Sequence, residues 1–391
     1  MKYDIVIIGG GIIGSSAAWF LANDDRAGRV AVIEPDPSYE FATTPQGAGG
    51  IRQLFSRPEN IAMSQFSLDF YKNFATNLAN GDEAFDIGFQ NHGYLFAVGP
   101  DGVDDLQKNY ETQTSMGAPV EILDRDAVLA KFPSIQRADI VLGCYSGEDG
   151  WVDPNAALQG FKRAAEQLGV DYIKARVTDI ATDDTRAKSV MLDTGETVDA
   201  DVFINAAGPS VAEVANMTGA DLPVRPMCRV QHYWKCAHEI EAMPLVKVES
   251  GMFVRPEGEG FVGGCPSFDI EPGFVEDISY GFFSNYFEDT VWPMIAELIP
   301  KFEEVKLQRS WAGHYAQNLL DGNMIIGSYS KDHPNLLTAC GFSGHGLMHA
   351  PAVGRALSEL ALDQRFQTLD LSNLGIQRVW DNQPYRETGI K

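Results

Sequence analysis

Apolar and polar positions fall along the chain in blocks that open with a βαβ unit. A short apolar run over residues 4–8 meets Gly9-Gly10-Gly11-Ile12-Ile13-Gly14 and passes into a helix-like stretch over 15–22. A second apolar run over 30–33 ends in Glu34, 20 residues past Gly14. Residues 58–80 carry Ile61, Phe66, Phe70 and Phe74 near helical spacing, which predicts one long packing helix capped by Ser56 or a neighbour. Asp153-Pro154 supplies an N-cap and a first-turn proline for a helix to about residue 168, leading into a strand over 176–181. Asp193-Thr194-Gly195 closes a hairpin, and the run 201–205 enters another turn and helix through Ala206-Ala207-Gly208-Pro209.

From residue 222 to 315 the texture changes to aromatic-rich alternating strands, such as 230–235 and 252–255, interrupted by one helix over 284–298. A second, mostly antiparallel lobe follows from that pattern. Two short strands, 324–327 and 336–339, precede Gly341-Phe342-Ser343-Gly344-His345-Gly346 and a helix to about residue 362, so the chain returns to the first lobe. The polar stretch after Leu374 reads as a linker. The expected class is α/β, or α+β over the whole chain.

Composition narrows the function. The 391 residues allow two or three domains or one two-lobed enzyme. The balance of 30 Lys+Arg against 54 Asp+Glu gives a net charge of −24, which repels phosphate backbones and anionic headgroups and argues against nucleic-acid and acidic-membrane partners. No run approaches the ~20 apolar residues of a membrane helix, so membrane insertion is not expected. The start, Met1-Lys2-Tyr3-Asp4, shows no basic n-region or cleavage site, and the expected compartment is the cytoplasm. Cys144, Cys228, Cys236, Cys265 and Cys340 form no C-x-x-C pair and read as buried thiols.

The glycines have separate steric tasks. Gly9 allows a tight turn, Gly11 lets the backbone approach a pyrophosphate, and Gly14 lets helix and strand pack closely. The helix N-terminus offers free N–H groups to phosphate, while Glu34 accepts from ribose hydroxyls and repels a 2′-phosphate, which disfavours NADP. One fingerprint at the start of the chain fits a tightly held FAD better than an exchanging nicotinamide. The cluster 341–346 reads either as a strand-to-helix turn or as a second N-terminus facing the N1–C2=O edge of reduced flavin. His345 and His349 have metal-pair spacing but no evident third ligand, so no metal is expected.

Together with Asn205-Ala206-Ala207-Gly208-Pro209, Trp311-Ala312-Gly313-His314-Tyr315 and Gly341 to Gly346, the N-terminal fingerprint resembles the FAD-dependent amino-acid and amine oxidoreductases, or DAO family, of sarcosine oxidase, glycine oxidase and dimethylglycine dehydrogenase. The stretches 49–56 and 366–371 are most similar to a mitochondrial subgroup, the FAD-dependent oxidoreductase domain-containing proteins, and its bacterial relatives. The resemblance implies a Rossmann-like FAD-binding domain built from residues 1–88, 147–222 and 318–372. It also implies an antiparallel-sheet substrate domain from 89–146 and 223–317, with 373–391 as a C-terminal tail. It further implies hydride transfer from the carbon beside an amine nitrogen to flavin N5, followed by imine hydrolysis.

The cofactor contacts implied are Gly9, Gly11, Ile12, Ile13, Gly14, Glu34, Gly49, Gly50, Ala207, Gly208, Gly313, Gly344, His345, Gly346 and Leu347. Arg52, Tyr315 and His345 are implied at the reaction site, with Arg52 pairing a substrate carboxylate. Three departures change the expectation. Met348 stands where sarcosine oxidase has a carboxylate-binding lysine, which weakens the case for sarcosine. Gly313 aligns with the flavin-attaching cysteine of monomeric oxidases, so the FAD is expected to be non-covalent. Val262 aligns with their oxygen-activating lysine, so a dehydrogenase using an electron-carrier protein or quinone is expected over an oxidase.

The leading expectation is oxidation of a secondary or tertiary amine, an N-methyl or N-alkyl amino acid. The alternatives are oxidative deamination of a primary or cyclic amino acid, and a non-catalytic flavin-binding assembly protein.

Overall fold

The computed structural model describes residues 1–79, 85–266, 271–275 and 285–390. The first strand, Ile5–Ile8, is buried along its length and lies inside a six-stranded sheet. The order across that sheet is Ile325–Ser328, Leu336–Cys340, Val202–Asn205, Ile5–Ile8, Val30–Glu34 and Asp171–Lys174. Every pairing is parallel except the outer hairpin of Ile325–Ser328 with Leu336–Cys340. Central parallel strands are covered on both faces, which is why IVII and VAVIE read as continuous apolar runs.

Helix Ile12–Ala22 packs against the last long helix, Gly346–Asp363, where Ser16 Oγ donates to the Ala350 carbonyl at 2.9 Å. Helix Pro154–Gln167 starts as its sequence predicts, with the Asp153 carboxylate accepting from the Asn155 and Ala156 N–H groups at 2.8 and 3.0 Å. The next strand, Asp171–Lys174, is an addition to the sequence reading, its polar edge positions hiding the strand signal. The expected 176–181 strand forms as Val177–Thr182 in a separate three-stranded antiparallel sheet with Ala187–Leu192 and Thr197–Asp199.

The second lobe rests on an eight-stranded sheet. Its order is Val305–Asn318, Val224–Cys236, Gly260–Gly264, Phe253–Glu257, Leu245–Val248, Tyr94–Val98, Leu142–Ser146 and Val120–Asp124. Only Leu245–Val248 and Tyr94–Val98 pair in parallel. Along Val224–Cys236 the buried residues Val224, Pro226, Cys228, Val230, His232 and Trp234 alternate with half-buried Met227, Arg229 and Gln231. Period-two alternation sends the second set to the opposite face, toward the first lobe.

Four expectations need correction. The helix predicted over 58–80 breaks at Asn73 into Pro58–Lys72 and Phe74–Leu78, and residue 80 lies outside the described residues. No side chain of its own caps it. Ser56 instead donates, through N–H and hydroxyl, to the Glu387 carboxylate at 2.6 and 2.5 Å, and Arg57 N–H adds a third bond at 3.3 Å. The helix expected over 284–298 is a π turn, Phe287–Val291, running into Trp292–Leu298, and residue 284 lies outside the described residues.

The polar tail is not a linker. Arg378 is buried, pairs with Asp321 at 2.8 Å and donates to the carbonyls of Leu374, Gly375, Asn323 and Met324. Tyr385 N–H also reaches Asp321, and Asn60 Nδ2 donates to Glu387. Arg378 and Glu387 serve internal bonds, while residues 381–384 stay exposed. Among the described residues no helix is long and apolar enough to cross a membrane.

Because Glu387 takes several charge-assisted bonds at a buried position, Glu387→Ala should lower unfolding free energy by about 2–4 kcal/mol in chemical denaturation. A loss below about 0.5 kcal/mol would show that the tail does not hold the helix start.

Candidate active site

A cavity of about 1250 Å³ lies between the carboxyl ends of the six-stranded sheet and the inner face of the eight-stranded one. That exceeds the ~300–1,000 Å³ typical of a drug-sized ligand, so there is room for a long cofactor and a second small molecule.

At one end, the chain leaves Ile5–Ile8 through Gly9, whose φ of +101° no ordinary side chain favours. A Cβ on Gly9 would lie 2.5 Å from the Ala206 carbonyl oxygen, and one on Gly14 would lie 1.9 Å from that of Gly9. Gly9 therefore shapes the turn beside the cavity, and Gly14 packs the helix onto it without lining the cavity. Helix Ile12–Ala22 opens with no side-chain cap and no acid in its first turn, and Ile12 N–H has a long contact of 3.4 Å to Thr44 Oγ1. Its positive end is left open to an anion. Glu34 accepts from Gly10 and Asp36 N–H groups at 2.8 and 2.9 Å, and burial raises its carboxyl pKa. The neighbouring Tyr39 hydroxyl is buried without a hydrogen-bond partner among the described residues, and burial lifts its pKa far above the usual value.

At the other end sits Arg52, 2% exposed, just beyond the strand Gly50–Ile51 that pairs with Gly150–Trp151. Its guanidinium packs over Phe55 and Phe96 at 4.1 and 4.9 Å from the ring centres and donates to the Leu54 carbonyl. Its other arm meets His345 Nε2 at 3.1 Å, and since arginine can only donate, that nitrogen is the acceptor. Burial pulls the Arg52 pKa down, while Tyr94, Glu387 and Asp149 oppose the shift. His345 is the N-cap residue of Gly346–Asp363, a helix that also opens with no side-chain cap and no acid in its first turn. Four residues on, His349 pairs with Ser64 Oγ at 2.9 Å and is pushed down to about 3 by burial and by Arg52, which keeps it neutral.

From the sheet side come Tyr315 and Arg229, whose guanidinium lies 5.0 Å from the Tyr315 ring centre. Lys247, on Leu245–Val248, joins them, and burial first, then the charges of Arg52 and Arg229, draw its amine down to about 7.

One cavity thus gathers Gly9, Gly11, Ile12, Ile13 and Glu34 from the first unit, and Gly49, Gly50 and Arg52 from the following loop. Ala207, Gly208, Gly313 and Tyr315 join them, as do Gly344, His345, Gly346 and Leu347. Met348 also lines it, whereas Val262 does not. Arg229, Lys247 and Glu387 line it too and escaped sequence reasoning. The available signal was a cation on the inward face of an alternating strand: Met227, Arg229 and Gln231 share one face, as do Leu245 and Lys247.

The FAD dependent oxidoreductase family, DAO, matches residues 4–360. The chain belongs to that family. It is 37% identical over 432 residues to FAD-dependent oxidoreductase domain-containing protein 1 of Xenopus laevis, covering 100% of this chain and 85% of that protein. It is 26% identical over 416 residues to the mitochondrial dimethylglycine dehydrogenase of Rattus norvegicus, covering 99% of this chain and 46% of that protein. Among solved structures, L-proline dehydrogenase from P. horikoshii superposes with a TM-score of 0.84 at 25% identity, covering 98% of this chain and 99% of that one.

FAD is the cofactor, and the residues present fit it. The open N-terminus of Ile12–Ala22 suits a pyrophosphate, and the partnerless Tyr39 hydroxyl suits a ligand acceptor in the same cavity.

Two outcomes follow. Gly9→Ala should purify colourless, because the added methyl strikes the Ala206 backbone; a normal flavin content would contradict this cradle. Lys247 is protonated up to about 10.5 in the unfolded chain but only below about 7 when folded, so its cost is full below pH 7 and fades as pH rises toward 10.5. Lys247→Met should therefore raise the thermal midpoint at pH 7, with the gain shrinking by pH 10. A gain independent of pH would contradict the shift.

Proposed function

We propose that this protein oxidises the C–N bond of a secondary or tertiary amine, an N-methyl or N-alkyl amino acid, anchored through its carboxylate. The observation that carries this reading is Arg52: a buried guanidinium lining the same cavity as the cofactor cradle and touching the residue that starts the second open helix. When bound, FAD supplies the two-electron acceptor at N5 for a hydride from the carbon beside the nitrogen.

The chain's own residues do the positioning. Arg52 fixes the carboxylate end, and Tyr315 and Phe253 wall the cavity from the sheet side. His345 holds one arm of Arg52, and the uncapped N-terminus of Gly346–Asp363 would favour negative charge on a flavin bound before it. Loss of the hydride leaves the nitrogen lone pair to form C=N; water then adds, and an N-methyl substrate releases formaldehyde and the shortened amine. The similarity to dimethylglycine dehydrogenase supports this choice. The similarity to L-proline dehydrogenase favours a second reading, oxidation of a cyclic amino acid in the same site.

Non-covalent FAD is proposed because Gly313 offers no sulfur; acid precipitation should leave flavin in the supernatant, and a yellow pellet would overturn this. An electron carrier or quinone is proposed as acceptor because Val262 brings no cation to the cavity. Rapid peroxide formation during turnover in air would instead assign an oxidase role, with Lys247 the cation available for it.

Under anaerobic conditions, N-methyl amino acids should bleach the flavin and yield formaldehyde, and Arg52→Gln should lower kcat/KM about a hundredfold or more. Bleaching by cyclic or primary amino acids alone would select the second reading or deamination. No bleaching by any of them, with flavin still reducible by dithionite, would overturn amine oxidation.

A further inference from the structure

Arg52 lines the cavity and yet is 2% exposed, so a carboxylate meets its guanidinium only after a group covering it moves. Much of that cover is fixed. The Tyr94 and Phe96 rings stand on Tyr94–Val98, a strand hydrogen-bonded along both edges. Phe55 packs edge-on against His345, with ring centres 5.1 Å apart, at the start of the last long helix.

The end of the chain supplies a different kind of cover. Glu387 and Gly389 line the cavity, while Thr388 between them does not and is exposed. This short strap crosses from one lobe to the other. Glu387 is bonded to the start of Pro58–Lys72 in the first lobe. In the second lobe, Thr388 Oγ1 donates to Asn109 Oδ1 at 3.1 Å and the Thr388 carbonyl accepts from Asn109 Nδ2 at 2.9 Å, both on helix Val103–Ser115. Ile390, 9% exposed, joins the apolar cluster of Tyr94, Phe96, Leu106 and Leu245, which includes two of the rings beside Arg52.

The strap is held unequally along its length. Glu387 is locked by several bonds to its carboxylate at a buried position. Beyond it the hold consists of the two Asn109 bonds, the Thr388 N–H donating to Ser56 Oγ at 2.9 Å, and one apolar side chain, Ile390. A segment with little buried apolar surface and hydrogen bonds near solvent opens locally at low cost, unlike the sheet and helix around it.

We propose that residues 388–390 form a gate over Arg52, hinged at Glu387, which swings off helix Val103–Ser115 to admit a carboxylate and shuts again with Ile390 against Tyr94 and Phe96. The structure holds the shut position. This proposal rests on the reading of Arg52 as the carboxylate anchor.

The test mixes FAD-loaded protein with (methylthio)acetate, in which sulfur replaces the oxidisable amine, and follows the visible flavin spectrum by stopped flow. Asn109→Cys combined with Thr388→Cys, oxidised with diamide to a disulfide, ties the gate to the helix. The tied protein should bind at least tenfold more slowly, and dithiothreitol should restore the rate. Association and dissociation should slow together and leave the affinity within about threefold, which damage to the site itself would not do. Asn109→Ala and Ile390→Ser each loosen the gate and should speed association at least threefold; they decide the matter if the disulfide does not form.

Binding by the tied protein at the untied rate, or unchanged association in either loosened variant, would overturn the gate. No spectral response in the wild type would overturn the carboxylate anchor and the gate with it. A gated response to (methylthio)acetate, without bleaching by any amine, would support the gate and overturn amine oxidation.

Discussion

A buried guanidinium that pairs with no carboxylate among the described residues sets the terms for this molecule. Arg52 is held by carbonyl, imidazole and aromatic contacts, and its charge is balanced at a distance. The neighbouring Gln53 is clamped by Asp149 at 2.9 and 3.0 Å, an acid that burial pushes up to about 6. Three residues farther on, Ser56 and Arg57 are clamped by Glu387 from the far end of the chain. Both acids oppose the burial-driven loss of charge on Arg52. Several kcal/mol of desolvation are tolerated at one point because packing and fields on all sides hold it there.

That constraint joins the two lobes. The six-stranded sheet delivers the glycine turn and the start of the last helix, the eight-stranded sheet delivers Tyr315, Arg229 and Lys247, and the loop carrying Arg52 lies where they meet. The cradle at one end uses backbone N–H groups and so tolerates any side chain that fits, while the reaction end depends on a few charged groups placed by distant segments. Cofactor choice is therefore the general property of the family, and substrate choice the local property of this chain.

The cradle was legible in the sequence because its parts are consecutive: Gly9 to Gly14 and Glu34 form one local unit whose steric reasons are written in the residues themselves. Arg52, Tyr315 and His345 could be placed through family resemblance, since nothing local distinguishes Arg52 from a surface arginine. Arg229 and Lys247 stayed hidden because a cation on an alternating strand looks like the solvent side of a half-buried sheet until the opposing lobe is in place. Glu387 was hidden for a similar reason: a polar tail is indistinguishable from a linker unless the helix start it caps, more than three hundred residues earlier, is known.

The central claim is that Arg52 binds a carboxylate beside the flavin ring. Titrating the FAD-loaded protein with (methylthio)acetate while following the visible spectrum of the bound flavin tests it directly. A saturable spectral shift in the wild type, with affinity at least tenfold weaker in an Arg52→Gln protein that keeps one FAD per chain, is the result the account predicts. The same shift at the same affinity in both proteins would contradict it.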